Sequence, residues 1–170
     1  MTRLRGRPAA MADRLTVEQR RHNMSRVRSR GTAPELTVRR LLHSLGFRFR
    51  LHRGDLPGTP DIVLPRHRSA IFVHGCFWHG HRCPLFRVPA TRTEFWISKI
   101  TANCSRDAAA RESLLSLGWR PLSVWECAIR GKGRLAERDL AMAITDFLEG
   151  DQAVGDITGK MSHAKTASEE

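Results

Sequence analysis

DIVLPRHRSAIFVHG, residues 61–75, is the stretch on which the architecture turns. DIVL and SAIFVHG are short apolar runs rich in β-branched residues and PRHR between them is a turn, so together they read as a hairpin of core strands. Just upstream, FRFRLH (47–52) alternates with Phe47, Phe49 and Leu51 on one face, the pattern of a half-buried strand. Before it, residues 33–45 set Leu36, Leu41, Leu42 and Leu45 along one side of a helix that Gly46 stops. A polar helix is expected from Thr16, its N-cap, to about Val27, and a flexible basic arm over residues 1–15. Downstream, a long helix runs from Thr93 to Leu117 and closes on Gly118. RPLSVWECAI (120–129) follows as a strand and residues 135–148 as a last helix. Helix, three strands, long helix, strand, helix predicts an α/β sandwich around a central mixed sheet. A single domain over 16–148 is expected, with 149–170 as a flexible, solvated tail.

A chain of 170 residues can bury a core without disulfide staples. No apolar run has the length of a membrane span, and the basic N-terminus lacks the apolar stretch of a secretory signal. An intracellular protein with reduced thiols is therefore expected. The net charge of +12 is uneven: +11 over residues 1–53, +6 over 54–135 and −5 over 136–170. Of 29 basic residues 25 are arginine, whose planar fork suits phosphate oxygens, and this is the footprint of a nucleic-acid binder. Genomic base composition and solubility also enrich arginine.

The hairpin leads into VHGCFWHGHRCPLF (73–86), with three histidines, two cysteines and three large aromatics. Cys76, His81 and Cys83 cluster at a strand end, and Cys127, on the 120–129 strand, can be brought alongside by sheet pairing. Three Cys and one His are the tetrahedral set that structural zinc prefers; buried cysteines also serve as small hydrophobes. Cys104, in the long helix, is the spare. His74 and His79 are then left over, and across the hairpin lies Asp61, presented at a strand start by the Gly58 and Pro60 bend. A carboxylate to hold Mg²⁺, imidazoles to activate water and a basic surface suggest metal-assisted phosphodiester hydrolysis. Taken singly, an Asp after Pro is commonly a turn residue.

PGTPDIVL (57–64), HGCFWHGHRCPLF (74–86), VPATRTEFWISKI (88–100) and GWRPLSVWECAIRG (118–131) resemble, in this order, the very short patch repair endonucleases, strand-specific nickases of T:G mismatches in bacterial DNA. The resemblance covers about residues 17–148. It implies a restriction-endonuclease-like α/β core with a structural Zn²⁺ on Cys76, His81, Cys83 and Cys127. It further implies a catalytic Mg²⁺ on Asp61 and the main-chain carbonyl of Val73, His79 as general base or acid with Asp107 orienting it, and His74 as a second imidazole near the scissile phosphate. Glu35 matches an acid that helps arrange water at the metal; Thr32-Ala-Pro-Glu35 also reads as a capping box. Phe77, Trp78 and Trp96 match a wedge inserted beside the mismatch from the major groove, and Met24 a segment entering from the other groove.

The partners implied are double-stranded DNA with the T:G mispair left by 5-methylcytosine deamination and a mismatch-repair protein, for a monomer in the bacterial cytoplasm at the nucleoid. The family usually has Thr where this chain has Val73; a role carried by the carbonyl tolerates valine. The wider superfamily also sets a second acid and a lysine on this strand, whereas SAIFVHG has neither, so histidine must take the lysine's part. Two rival readings are a restriction-type or other damage-specific endonuclease and a non-catalytic, zinc-stabilised DNA-binding module.

Overall fold

A computed structural model describes Thr16, Glu18, Gln19 and residues 30–160. The basic arm and most of the expected first helix, Met24 included, lie outside the described residues. At its start, the Gln19 N–H donates to Thr16 Oγ1 (3.1 Å) and the Thr16 N–H to Gln19 Oε1 (2.9 Å), the reciprocal bonds of a capping box.

Helix α1 (Ala33–Ser44) begins at a second capping box, Thr32 with Glu35, and has Pro34 in its first turn. It ends where Gly46, at φ +83°, lets the Gly46 N–H reach the His43 carbonyl and the Phe47 N–H the Leu42 carbonyl, both at 3.0 Å. Its buried residues are Glu35, Val38, Leu41 and Leu42, while Leu45 is exposed. The inward stripe is thus rotated from the leucine side expected from sequence, because a carboxylate occupies its first position.

Residues expected to form a strand over 47–52 pair only as β1 (Arg50–Leu51), and Leu51 faces outward at 42% exposure. Phe47 and Phe49 instead pack sideways onto the core. Strands β2 (Ile62–Leu64) and β3 (Ser69–His74) form the expected antiparallel hairpin, with Ile62 opposite Ile71, through a 3-10 turn at Pro65–His67. Helix α2 (Thr93–Ser116) crosses over to β4 (Arg120–Trp125), which lies parallel to β3. Its last turn repeats the ending of α1: the Gly118 N–H reaches the Leu115 carbonyl and the Trp119 N–H the Leu114 carbonyl.

Two sequence expectations fail after this point. The 120–129 strand stops at Trp125, and Cys127 sits on a one-turn helix, α3 (Glu126–Ile129). The expected tail is partly structure: after α4 (Glu137–Glu149), β5 (Gly155–Ile157) adds parallel to β4 with Ile157 buried. Residues 161–170 lie outside the described residues.

The sheet therefore runs β1-β2-β3-β4-β5, antiparallel then parallel. On one face Ile62, Leu64, Ile71, Leu122 and Val124 pack against α1 and α4; on the other Val63, Ala70 and Phe72 meet Leu114 of α2. Burial of both faces explains why these strands read as continuous apolar runs.

Candidate active site

Among the described residues, three clusters of metal-capable side chains gather at one end of this sheet, where β2 begins and β3 and β4 finish.

The first belongs to the loop after β3. Cys76, His81, Cys83 and Cys127 each offer a donor atom within 4.8 Å of the others. A tetrahedral ion with bonds of about 2.3 Å to sulfur spaces its ligands by roughly 3.8 Å, so the set fits such an ion. Short turns hold the loop, with the His81 N–H on the Cys76 carbonyl (3.0 Å) and the Phe86 N–H on the Cys83 carbonyl (2.9 Å). The Cys76 N–H donates to Glu126 Oε2 (3.1 Å), and the Gly159 N–H beyond β5 donates to Cys127 Sγ (3.3 Å). Burial drives the Cys76 and Cys127 thiols upward in pKa, and the same effect keeps His81 below its usual value. Crowded thiols that resist ionising are what a soft divalent cation relieves.

The second cluster is His74, His79 and Asp107. His79 Nδ1 lies 2.5 Å from Asp107 Oδ2, and the His74 and His79 ring centroids are 4.1 Å apart. Burial, then the nearby His79, pulls His74 down to about 4, so it stays neutral at physiological pH. Burial works against the charged form of Asp107, but the His79 hydrogen bond and the neighbouring imidazoles outweigh it and leave its pKa below the ordinary carboxylate value. Helix α2 clasps the loop here: Asn103 Nδ2 donates to the Trp78 carbonyl (2.8 Å), and the spare Cys104 thiol to that of His79 (3.3 Å). Gly80, at φ +63°, allows the approach, since a Cβ there would stand 3.0 Å from Ile100 Cγ2.

The third is Glu35, His52 and Asp61. Asp61 Oδ2 accepts the Val73 N–H at 2.7 Å, which ties the carboxylate to β3. In an extended strand a residue's N–H and C=O face the same edge, so the Val73 carbonyl is directed to the Asp61 side as well. Desolvation, reinforced by the charge of Glu35, pushes Asp61 up to about 6, while the Val73 N–H, Arg39 and His79 work in the opposite direction. Glu35 makes the capping box expected of it and also lies beside Asp61. Its Oε2 takes the Gly31 and Thr32 N–H groups at the helix cap (2.6 and 3.3 Å), and its Oε1 turns to Arg39 and His52. His52 was not singled out in the sequence. Only the β1–β2 register, which carries Leu51 past Ile62, sets it against Asp61.

Trp125 links the first two clusters, stacked on His81 (4.3 Å, 19°) and 5.1 Å from His74. Its Nε1 donates to Asp156 of β5, which also pairs with Arg111 of α2. Beside it lies a cavity of about 250 Å³ reached by Phe72, His74, His79, Asp107 and Arg111. Trp125 and Asp156 also escaped sequence reading.

The aromatics of the loop and of the start of α2 form a separate cluster. Phe77 lies edge-on to Trp78 (5.0 Å) and Trp96 (5.4 Å), and Phe95, missed in the sequence and 45% exposed, meets Trp96 at 5.3 Å. None of them belongs to either core, and cations flank them, Arg92 over Phe95 and Lys99 over Trp78.

Comparison with known proteins finds three informative likenesses. Residues 12–85 match the family described as DNA mismatch endonuclease Vsr. The chain is 53% identical over 128 residues to "Type II nicking enzyme V.XorIIP" of Xanthomonas oryzae pv. oryzae, covering 75% of this chain and 94% of that protein. It is 44% identical over 153 residues to "DNA mismatch endonuclease Vsr" of Escherichia coli, covering 90% of this chain and 98% of the relative.

Proposed function

The chain belongs to the DNA mismatch endonuclease Vsr family, and from that membership we propose that it nicks double-stranded DNA on the 5′ side of the T in a T:G mismatch, by Mg²⁺-dependent phosphodiester hydrolysis. The observation that carries this reading is the convergence on β3. Asp61 is bonded to Val73, the next residue is His74, and His74 packs on the His79–Asp107 pair. A cation site and a proton-transfer site thus meet at one strand end, a restriction-endonuclease-like arrangement.

When bound by Asp61 and the Val73 carbonyl, Mg²⁺ supplies positive charge beside the scissile phosphate and the departing oxygen. Asp107 accepts from His79 Nδ1–H, which leaves Nε2 as the nitrogen that takes a proton from the attacking water. His74, kept neutral, adds no charge against the imidazolium that forms and offers a hydrogen bond to the phosphate. Glu35 Oε1 orients water from the helix side. The Cys76, His81, Cys83 and Cys127 set would hold Zn²⁺ as a structural brace. The brace keeps His79, between its ligands, in place.

Phe77, Trp78 and Trp96 serve as the wedge. Separating a base step costs a few kcal/mol, and less where a mispair has already weakened the stack, so recognition of the mismatch is partly energetic. Met24 is proposed, from its sequence position alone, to enter from the opposite groove. The Arg-rich first third would hold the backbone, and a mismatch-repair protein remains the further partner that the family implies.

The test is nicking of a duplex panel, T:G against fully paired, with Mg²⁺ and with EDTA. A nick confined to the T strand of the mismatched duplex, lost in EDTA and in Asp61→Asn while mismatch binding persists, is the expected result. Equal cutting of paired DNA points instead to a restriction-type enzyme, and binding without any nick to a non-catalytic module.

A further inference from the structure

The described residues of the Glu35, His52 and Asp61 cluster contain a feature that the nicking mechanism leaves unused: an imidazole facing the same small space as two carboxylates. His52 Nε2 stands 3.1 Å from Glu35 Oε1, and His52 Nδ1 is 3.9 Å from Asp61 Oδ1. The other oxygen of each acid is already engaged, Glu35 Oε2 at the helix cap and Asp61 Oδ2 on the Val73 N–H, which leaves Glu35 Oε1, Asp61 Oδ1 and one ring nitrogen of His52 as the donors of this set. The donor atoms lie within 4.8 Å of one another, while the ligands of a six-coordinate ion with bonds of about 2.1 Å stand roughly 3 to 4.3 Å apart, a small inward movement away.

A positive group already occupies part of this space. Arg39, one turn along α1 from Glu35, puts Nη2 on Glu35 Oε1 and 2.7 Å from His52 Nε2. A guanidinium has only donors, so the His52 Nε2 facing it presents its lone pair, the form in which imidazole binds a metal. The same two atoms that a cation would use are thus held by an internal cation.

We propose that His52 is a further ligand of the divalent cation that Asp61 holds, beside Glu35 Oε1, and that Arg39 is its built-in competitor. The proposal rests on the reading that Glu35 and Asp61 serve the nuclease's cation. A nitrogen donor favours transition-metal ions over Mg²⁺, which prefers oxygen ligands and keeps its waters. Mn²⁺ accepts both kinds of donor and has little affinity for a thiolate-rich set such as that of Cys76, Cys83 and Cys127. It is therefore preferred over Mg²⁺ at this site.

The experiment is Mn²⁺ and Mg²⁺ binding by the whole chain without DNA, with Mn²⁺ followed by electron paramagnetic resonance and Mg²⁺ by competition. The nitrogen-14 coupling on bound Mn²⁺ is recorded in parallel. Expected are tighter Mn²⁺ than Mg²⁺ binding and a directly bonded nitrogen. His52→Asn should remove the nitrogen signal and weaken Mn²⁺ roughly tenfold with little change for Mg²⁺. Asn also tolerates the left-handed backbone of position 52, at φ +48°; His52→Gln serves should that variant fail to fold. Arg39→Met should tighten both ions severalfold. An unchanged nitrogen signal and Mn²⁺-to-Mg²⁺ ratio in the His52 variants overturns the ligand assignment, and unchanged affinities in Arg39→Met overturn the competitor. Asp61→Asn separates the two levels. If it leaves both ions bound as before, the underlying cation site is refuted, whereas failure of the His52 variants alone leaves the nuclease reading intact.

Discussion

Asp61 shows how a desolvated carboxylate can work against its own fold. The folded chain holds its proton up to about pH 6, whereas the unfolded chain loses it near the ordinary value of 3.8. Above pH 6 both states are ionised, and folding bears the whole cost of burying the charge, at most about 3 kcal/mol from the size of the shift. The cost shrinks as pH falls from 6 to 4 and is absent below. Asp61→Asn keeps an oxygen for the Val73 N–H and removes the charge, so without divalent ions it should raise Tm by several degrees at pH 8. Thermal melts should show the gain narrowing through pH 5 and gone below pH 4; a constant gain across that range contradicts the account. Glu35 shows that the two oxygens of one carboxylate can face different ways, Oε2 toward the helix cap and Oε1 toward His52.

At the scale of elements, β5 is the piece that ties the last described stretch of chain to Trp125 and Cys127. Ile157 is buried against β4, Asp156 anchors Trp125 and Arg111, and the Gly159 N–H meets Cys127. Ile157→Ala leaves a cavity in this seam and should cost about 2 to 4 kcal/mol, a fall in Tm of roughly 5 to 10 °C for a chain of this size. Unchanged melting would mean that the strand contributes no packing. The element was missed because three residues, Gly155–Ile157, follow a Gly- and Asp-containing linker and have no periodicity to detect. The hairpin and both long helices, by contrast, were legible because β-branched runs and paired glycine stops are local signals. Residues 47–52 misled for the opposite reason: their alternation is real, but Phe47 and Phe49 satisfy it by packing on the core outside a ladder.

For the whole molecule, the distribution of charge and of rings makes separate claims about binding. On the proposed reading, the arginine-rich first third would set affinity for any duplex and the aromatic cluster preference for the weakened one. Raising salt from 50 to 200 mM should lower affinity for paired and mismatched duplex alike by about 10³-fold if some six phosphates are contacted. The ratio between the two duplexes should hold nearly constant. Fluorescence anisotropy over a salt series measures both, and a preference that collapses with salt would place discrimination in the phosphate contacts.

The hairpin, the long helices with their glycine stops, the Thr32–Glu35 capping box, the Cys76–Cys83 ligand run and the family likeness were all present in the linear chain, since each depends on neighbours within one turn, one strand or one motif. Their convergence was not. That Cys127 leaves the strand to reach His81, that Asp61 grips Val73, that Asp107 meets His79 from a distant helix and that His52 turns toward Glu35 and Asp61 are outcomes of strand register and helix crossover. Those follow from packing two apolar faces of one sheet, a collective minimum that no local window contains.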